Sequence, residues 1–403
     1  MKKIIYIYIG VDLVNNSSGV QKKILSKIKA INELGVFCQG VSFSNNITAP
    51  LIINEYLTVI PFEKKTRKYF NSFYQQKLVF IAISKYLNSQ IKSFTHVLFR
   101  YPLASSPLLR LTKKFNKKFV FEHNTKEIEE VALQAKLFRS SLKFSIKPGY
   151  FIYLLERGYL TILQEKVLGK KIFKYSKSGI AVTSEIAEYE KTRQSKYKIN
   201  VVTNGIEVGK SKLRTPIDFN GLELKLFMLL GSQNVWHGVD RLVKSIANYK
   251  GTCLIKIDLI GSISKEDERL IDYYNVNDRI RIMPSVNSET LDYSLNQYHF
   301  GIGTLAAFRK GLTEATPLKT REYMARGFAA IIGYEDTDFE NHPEFKKYCL
   351  QVKPDESLID FEVVVEFAKI IFREENHHLK IRELAVKYLD TKVKMQQLVQ
   401  LLD

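Results

Sequence analysis

The chain has 403 residues, is 45% hydrophobic and carries a formal net charge of +19. That length allows two domains with sizeable cores, and that composition excludes a disordered or fibrous chain. Cys38, Cys253 and Cys349 are scattered without ligand spacing, which argues for a reducing compartment and against a zinc site. No apolar run reaches the roughly 18 residues of a membrane span. The opening two lysines and short β-branched run read as a first buried strand rather than a signal peptide. Charge is uneven: residues 1–200 hold 34 Lys and Arg against 13 Asp and Glu, a net of +21, whereas residues 201–403 hold 27 against 29, a net of −2. A basic first half and a neutral second half point to an anionic partner of the first half alone.

In chain order, residues 4–9 read as a strand, followed by a small-residue loop, Asn15 to Gly19, and an amphipathic helix with Val20, Ile24, Ile28 and Ile31 on one face. Residues 36–41 read as the next strand, completing a βαβ unit whose loop, lacking the full G-x-G-x-x-G pattern, is either a plain turn or one that lets a backbone approach a phosphate or sugar. Residues 64–80 and 136–159 interleave cations with aromatics. That pattern suits a helix lying on anionic lipid and, equally, a core helix with solvated lysines. Strands are predicted over 96–99, ending at Arg100, and over 118–121, ending at Glu122, His123 and Asn124. His123 either hydrogen-bonds a sugar hydroxyl or a backbone group in a cleft or is a structural histidine. A long helical region follows to about residue 176, then strands over 179–183 and 199–203 and the turn Asn204-Gly205.

A polar linker is expected over 206–222, after a first domain of residues 1–205. A second α/β domain is expected over 223–384, with a C-terminal helix at about 385–403 returning to the first domain. Its strands are predicted over 224–230, 255–260, 280–283 and 329–332. No helix-turn-helix, zinc-finger or ribonucleoprotein pattern is present, so no nucleic-acid partner is expected.

Residues 301–327 concentrate the chemistry. A short apolar run is expected to end as a buried strand, a basic loop with Arg309 and Lys310 follows, and Pro317, Leu318 and Lys319 open a helix carrying Tyr323 and Met324 to Gly327. A strand's carboxyl end feeding a helix amino terminus is where open α/β sheets bind anionic ligands. Glu314 and Glu322, seven residues apart, suit sugar hydroxyls, and Arg309, Lys310 and Lys319 suit phosphates.

With both halves in view, the chain resembles a retaining glycosyltransferase of the GT-B fold, family-4 type. Glu314 and Glu322 match the family's pair of glutamates separated by seven residues, Glu322 to Gly327 (EYMARG) its common Glu-Ala-Met-Ala-x-Gly, Asn204-Gly205-Ile206 its pre-linker turn, and Gly231 to Gly238 its glycine loop in spacing. The likeness extends to transferases that build bacterial capsular and other surface polysaccharides. One departure stands out: Ser232 and His237 occupy the places of the family's phosphate-binding Arg and Lys.

The resemblance implies an α/β architecture of two Rossmann-like domains facing each other across a cleft, with the acceptor in the first and a nucleotide-sugar in the second. Glu322 is expected on the ribose, Glu314 on the donor sugar, and Lys319 with the backbone of Pro317 and Leu318 on the phosphates, helped by Arg309, Lys310 and His237. Gly19 would approach the donor, His123 the reacting sugar, and Met283 and Pro284 the base. No metal or cofactor is expected, and Asp336 and Asp338 read as a structural acidic turn. The expected acceptor is a glycan or a polyprenyl-linked sugar, met in the cytoplasm or at the inner membrane face through the basic half. Competing readings are an epimerase or phosphorylase on the same architecture, and a non-enzymatic basic protein binding membrane or nucleic acid.

Overall fold

The computed structural model describes residues 2–9, 19–66, 71–90, 93–141, 155–231, 233–286 and 288–402. The loop residues Asn15 to Ser18, residue Ser232 and parts of the two basic–aromatic stretches (67–70 and 142–154) lie outside them. Two compact units divide the chain: Met1–Val202 with Met395–Asp403, and Thr203–Lys394.

The first unit is built on an eight-stranded sheet: β1 Lys3–Tyr8, β2 Phe37–Ser44, β3 Leu51–Asn54, β4 Leu57–Pro61, β5 His96–Arg100, β6 Phe119–His123, β7 Ser178–Ala181 and β8 Ile199–Val201. Its spatial order is β3-β4-β2-β1-β5-β6-β7-β8, and only the β3–β4 edge hairpin is antiparallel. β1 reads as a continuous buried run because parallel strands are covered on both faces. Helix Gly19–Glu33 buries Ile24, Ile28 and Ile31, as the helical period requires. The C-terminal residues Met395, Leu398 and Leu402 join the same core as Ile4, Tyr6 and Ile28. The β3–β4 hairpin is absent from the sequence reading. It turns at Glu55–Tyr56, where the Asn54 side chain accepts from the Tyr56 amide (2.9 Å) instead of a glycine turn.

The second unit carries six parallel strands: β9 Glu223–Leu230, β10 Leu254–Gly261, β11 Ile280–Met283, β12 Phe300–Ile302, β13 Ala330–Ile332 and β14 Cys349–Gln351. Their order is β11-β10-β9-β12-β13-β14. Strand order reverses between β9 and β12 here, and between β1 and β5 in the first unit. Loops leaving such neighbours part to opposite faces, and the crevice between them is the ligand position of this topology.

The apolar run after residue 301 differs from expectation. Only Phe300–Ile302 is strand. Beyond it, the Leu305 and Ala306 amides donate to the carbonyls of His237 and Trp236 (both 3.1 Å), so the backbone leaves β12 to pair with the loop after β9. Tyr323 closes the switch point from beneath: its hydroxyl donates to Ile302 O and accepts from Leu229 N, both at 3.1 Å. Its ring lies so close to β12 that a Cβ on Gly301 would stand 2.5 Å from it, and glycine removes that clash.

Candidate functional site

In the second unit the candidate residues gather where the loops after β9 and β12 meet. Val235–His237 makes a single 3-10 turn, and Gly238 (φ 74°) turns the chain into helix Val239–Asn248. That φ favours glycine because a side chain there meets the following carbonyl. Pro317, extended at φ −66° and ψ 143°, starts helix Leu318–Ala325, so Lys319 sits in its first turn and Glu322 one turn further on the same face.

The fold brings Lys319 and His237 together, with Nζ 3.1 Å from Nδ1. An ammonium can only donate, so the imidazole nitrogen accepts and the ring is neutral when Lys319 is charged. Burial pushes Lys319 down to about 7, partly offset by Glu322. A cation with its water removed, beside the free amides of a helix start, has unmet demand for an anion.

Arg309 is placed differently from expectation. Its guanidinium makes two bonds to Asp240 (2.8 and 2.9 Å), reaches Glu356 and donates to Val235 O. A guanidinium held by two carboxylates is not an open phosphate ligand, so Arg309 instead braces the Val235–His237 turn. Lys310 lies 4.6 Å over the Trp236 ring and so borders the same turn. Ser232 falls outside the described residues.

Glu314 is half-buried and accepts from Thr337 Oγ1 (3.1 Å), while the Ala315 amide donates to Glu335 O (2.9 Å). Asn204 holds the next residue: its amide donates to Thr316 O (2.8 Å) and approaches Thr316 Oγ1 (3.2 Å). Beneath these, Arg321 is fully buried, bonded to Asp336 and to Asp338, which also accepts from Lys394 and Thr203. Asp336 and Asp338 are therefore structural groups that fix the helix base. Glu322 is about a third exposed and lies 3.9 Å from the Arg326 guanidinium. Met283 and Pro284 end β11 at the sheet edge, two strands from the switch point, half-buried and exposed respectively. The bracing roles of Asn204, Asp240, Thr337 and Tyr323 were missed by sequence reasoning. Only the Asn-Gly turn gave a signal.

In the first unit Gly19 begins its helix next to undescribed residues. His123 does not take the open position that contact with a sugar hydroxyl requires. It is wholly buried, with Nδ1 2.9 Å from Glu127 and Nε2 3.3 Å from the Tyr197 hydroxyl, and the Tyr101 ring packs 4.8 Å from its own. Burial lowers its pKa, so the ring is neutral. Burial also pushes Glu127 up to about 7 and Glu190 up to about 8. His123, Glu127 and Glu190 offer ligand atoms within 4.8 Å of one another, but the Arg193 guanidinium, 2.9 Å from both Glu190 oxygens, already supplies positive charge there. The first unit also holds a cavity of about 760 Å³ at its own switch point, lined by Ile9 after β1 and by residues 100–104 after β5. That volume lies in the range of small-molecule sites, about 300–1,000 Å³.

No protein-family model and no curated protein matches the sequence. Solved structures do. Sucrose-phosphate synthase from Thermosynechococcus elongatus aligns at 14% identity over 100% of this chain and 98% of its own, with a TM-score of 0.67. HepE of Anabaena, solved with UDP, aligns at 11% identity over 99% of both chains, with a TM-score of 0.64. The lipopolysaccharide outer core galactosyltransferase WaaB aligns at 14% identity over 98% of this chain and 99% of its own, with a TM-score of 0.63. The two Rossmann-like α/β units thus form the GT-B fold of these glycosyltransferases.

Proposed function

We propose that the protein is a metal-independent glycosyltransferase that moves a sugar from a nucleotide-sugar to a glycan or lipid-linked acceptor with retention at the anomeric carbon. Cell-surface polysaccharide synthesis is the setting we assign to it. The carrying observation is the Lys319–His237 pair at the start of helix Leu318–Ala325, with Glu322 one turn on. These groups suit a diphosphate and a ribose, and a fold neighbour was solved with UDP.

In this reading the bond from the anomeric carbon to the diphosphate breaks and a bond from that carbon to the acceptor oxygen forms on the same face. The acceptor proton passes to the departing phosphate oxygen. Charge builds on the leaving phosphate, where Lys319, the His237 turn and the helix amides stabilise it. Glu322 accepts from the ribose and Glu314 from the donor sugar. His123 acts as a positioning residue behind Tyr101. The first-unit cavity receives the acceptor, and the +21 charge of residues 1–200 draws the protein to an anionic membrane surface. Among the described residues no helix is long and apolar enough to cross a membrane.

A thermal-shift screen with UDP, GDP, ADP, CMP and their sugars tests this. One nucleotide should raise the melting temperature of the native protein, and Glu322→Ala should remove the shift while remaining folded. A folded Glu322→Ala protein with full transfer activity would sink the assignment. Sugar-nucleotide turnover without acceptor would favour an epimerase or phosphorylase.

A further inference from the structure

Among the described residues, Arg100 and Arg157 line the first-unit cavity and no carboxylate does. The imbalance continues behind Arg100. Lys27 and Lys23 on helix Gly19–Glu33 both reach Glu122, at 2.8 and 3.4 Å, and Tyr6 donates to the same carboxylate. Arg100 itself is met by the neutral Tyr8 hydroxyl. Three cations therefore surround one acid, and burial together with Lys27 pushes Lys23 down to about 7. Cations brought together without matching acids repel one another, and an external anion relieves that repulsion.

The wall that presents Arg100 is built under strain. Leu103 lies at φ 71°, a left-handed conformation that a leucine rarely adopts and that marks functional loops. Glu165, itself buried, holds the segment there by accepting from the Tyr101 hydroxyl (2.7 Å) and the Ala104 amide. The lining also includes the rings of Phe62 and Phe138 and the side-chain amides of Gln76 and Gln134. Rings suit the C–H faces of sugars, and amides both donate to and accept from hydroxyls.

We infer that this cavity binds a saccharide bearing one acidic group, a carboxylate or a phosphate, seated between Arg100 and Arg157. Naming that saccharide the acceptor rests on the transferase reading; its binding does not. The acid is part of the sugar, as in a uronic acid, or is the phosphate that joins the sugar to a carrier.

Titration calorimetry on the full chain with cellobiose, cellobiouronic acid and cellobiose 1-phosphate tests this, with UDP as a control on every protein. At least one acidic disaccharide should bind about tenfold or more tighter than cellobiose. Arg157→Gln and Arg100→Gln should each remove most of that advantage and leave UDP binding unchanged. Carboxylate preference would place the acid within the sugar, and phosphate preference would place it at the carrier linkage. Equal affinity for all three, no binding of any, or an acidic preference kept in both variants would overturn the inference. If Arg100→Gln does not fold, the exposed Arg157→Gln decides alone. Acidic selectivity without UDP binding would instead defeat the donor-site reading and leave the cavity assignment standing.

Discussion

Lys319 loses water at the start of its helix, and Glu322 only partly compensates. Its folded value of about 7 lies below the ordinary lysine value of 10.5, so the unfolded chain binds more protons between those limits. Stability therefore rises with pH from about 7 towards 10, and the penalty is present in full below 7. Replacing Lys319 by Met should stabilise the protein at pH 6 by about 1 kcal/mol or more, with the gain vanishing near pH 10. Urea unfolding at the two pH values measures this. The same residue gives a signature of the proposed donor site. A diphosphate favours the charged lysine, so nucleotide binding at pH 8 should take up a fraction of a proton. Calorimetry in buffers of different ionisation enthalpy reads that uptake, which should be absent in Lys319→Met.

At the scale of elements, the helix Leu318–Ala325 is fixed from two sides. Tyr323 ties it to β9 and β12, and Arg321 anchors it to Asp336 and Asp338. Removing one partner of a buried ion network leaves charges without compensation. Arg321→Met should therefore cost about 3–5 kcal/mol in denaturant unfolding, far more than loss of an exposed pair. Gly301→Ala should cost about 1–3 kcal/mol, because the tyrosine ring must move from β12. A melting temperature unchanged by Gly301→Ala would contradict the close packing. The Glu127–Glu190 pair of the first unit contributes with the opposite sign to Lys319. Burial pushes Glu127 and Glu190 up to about 7 and about 8 from 4.5, so the folded pair holds extra protons and its contribution to stability falls as pH rises from about 5 to 8. Glu190→Gln should flatten that slope in thermal melts.

For the whole molecule, the net +21 of residues 1–200 against −2 for the remainder is the dominant long-range property. It predicts binding to vesicles containing about a third of anionic lipid, lost on raising salt to ~0.5 M, where the Debye length falls below ~5 Å. Sedimentation with anionic and with neutral vesicles separates this from non-specific adhesion. The α/β class and most strands were legible in the sequence, because buried parallel strands read as short apolar runs and their helices as 3.6-residue periods. The β3–β4 hairpin was not, since its turn uses an asparagine side chain rather than a glycine signal. The shortness of β12 was not either, because its ending depends on amides pairing with a loop about 70 residues earlier.

The sequence by itself determined where chemistry-bearing residues would gather: the strand-to-helix stretch at 301–327, the glycine loop at 231–238 and the basic first half. The first and last follow from local pattern and composition, and the glycine loop from the family resemblance. Tertiary structure alone decided which side chains are available. It gave Arg309 to Asp240, 69 positions away, brought Lys319 to His237, 82 positions away, and sealed His123 behind Tyr101. It also assembled the cavity from segments spread over residues 9–164. Such partners are chosen by strand order and packing, which local periodicity does not encode.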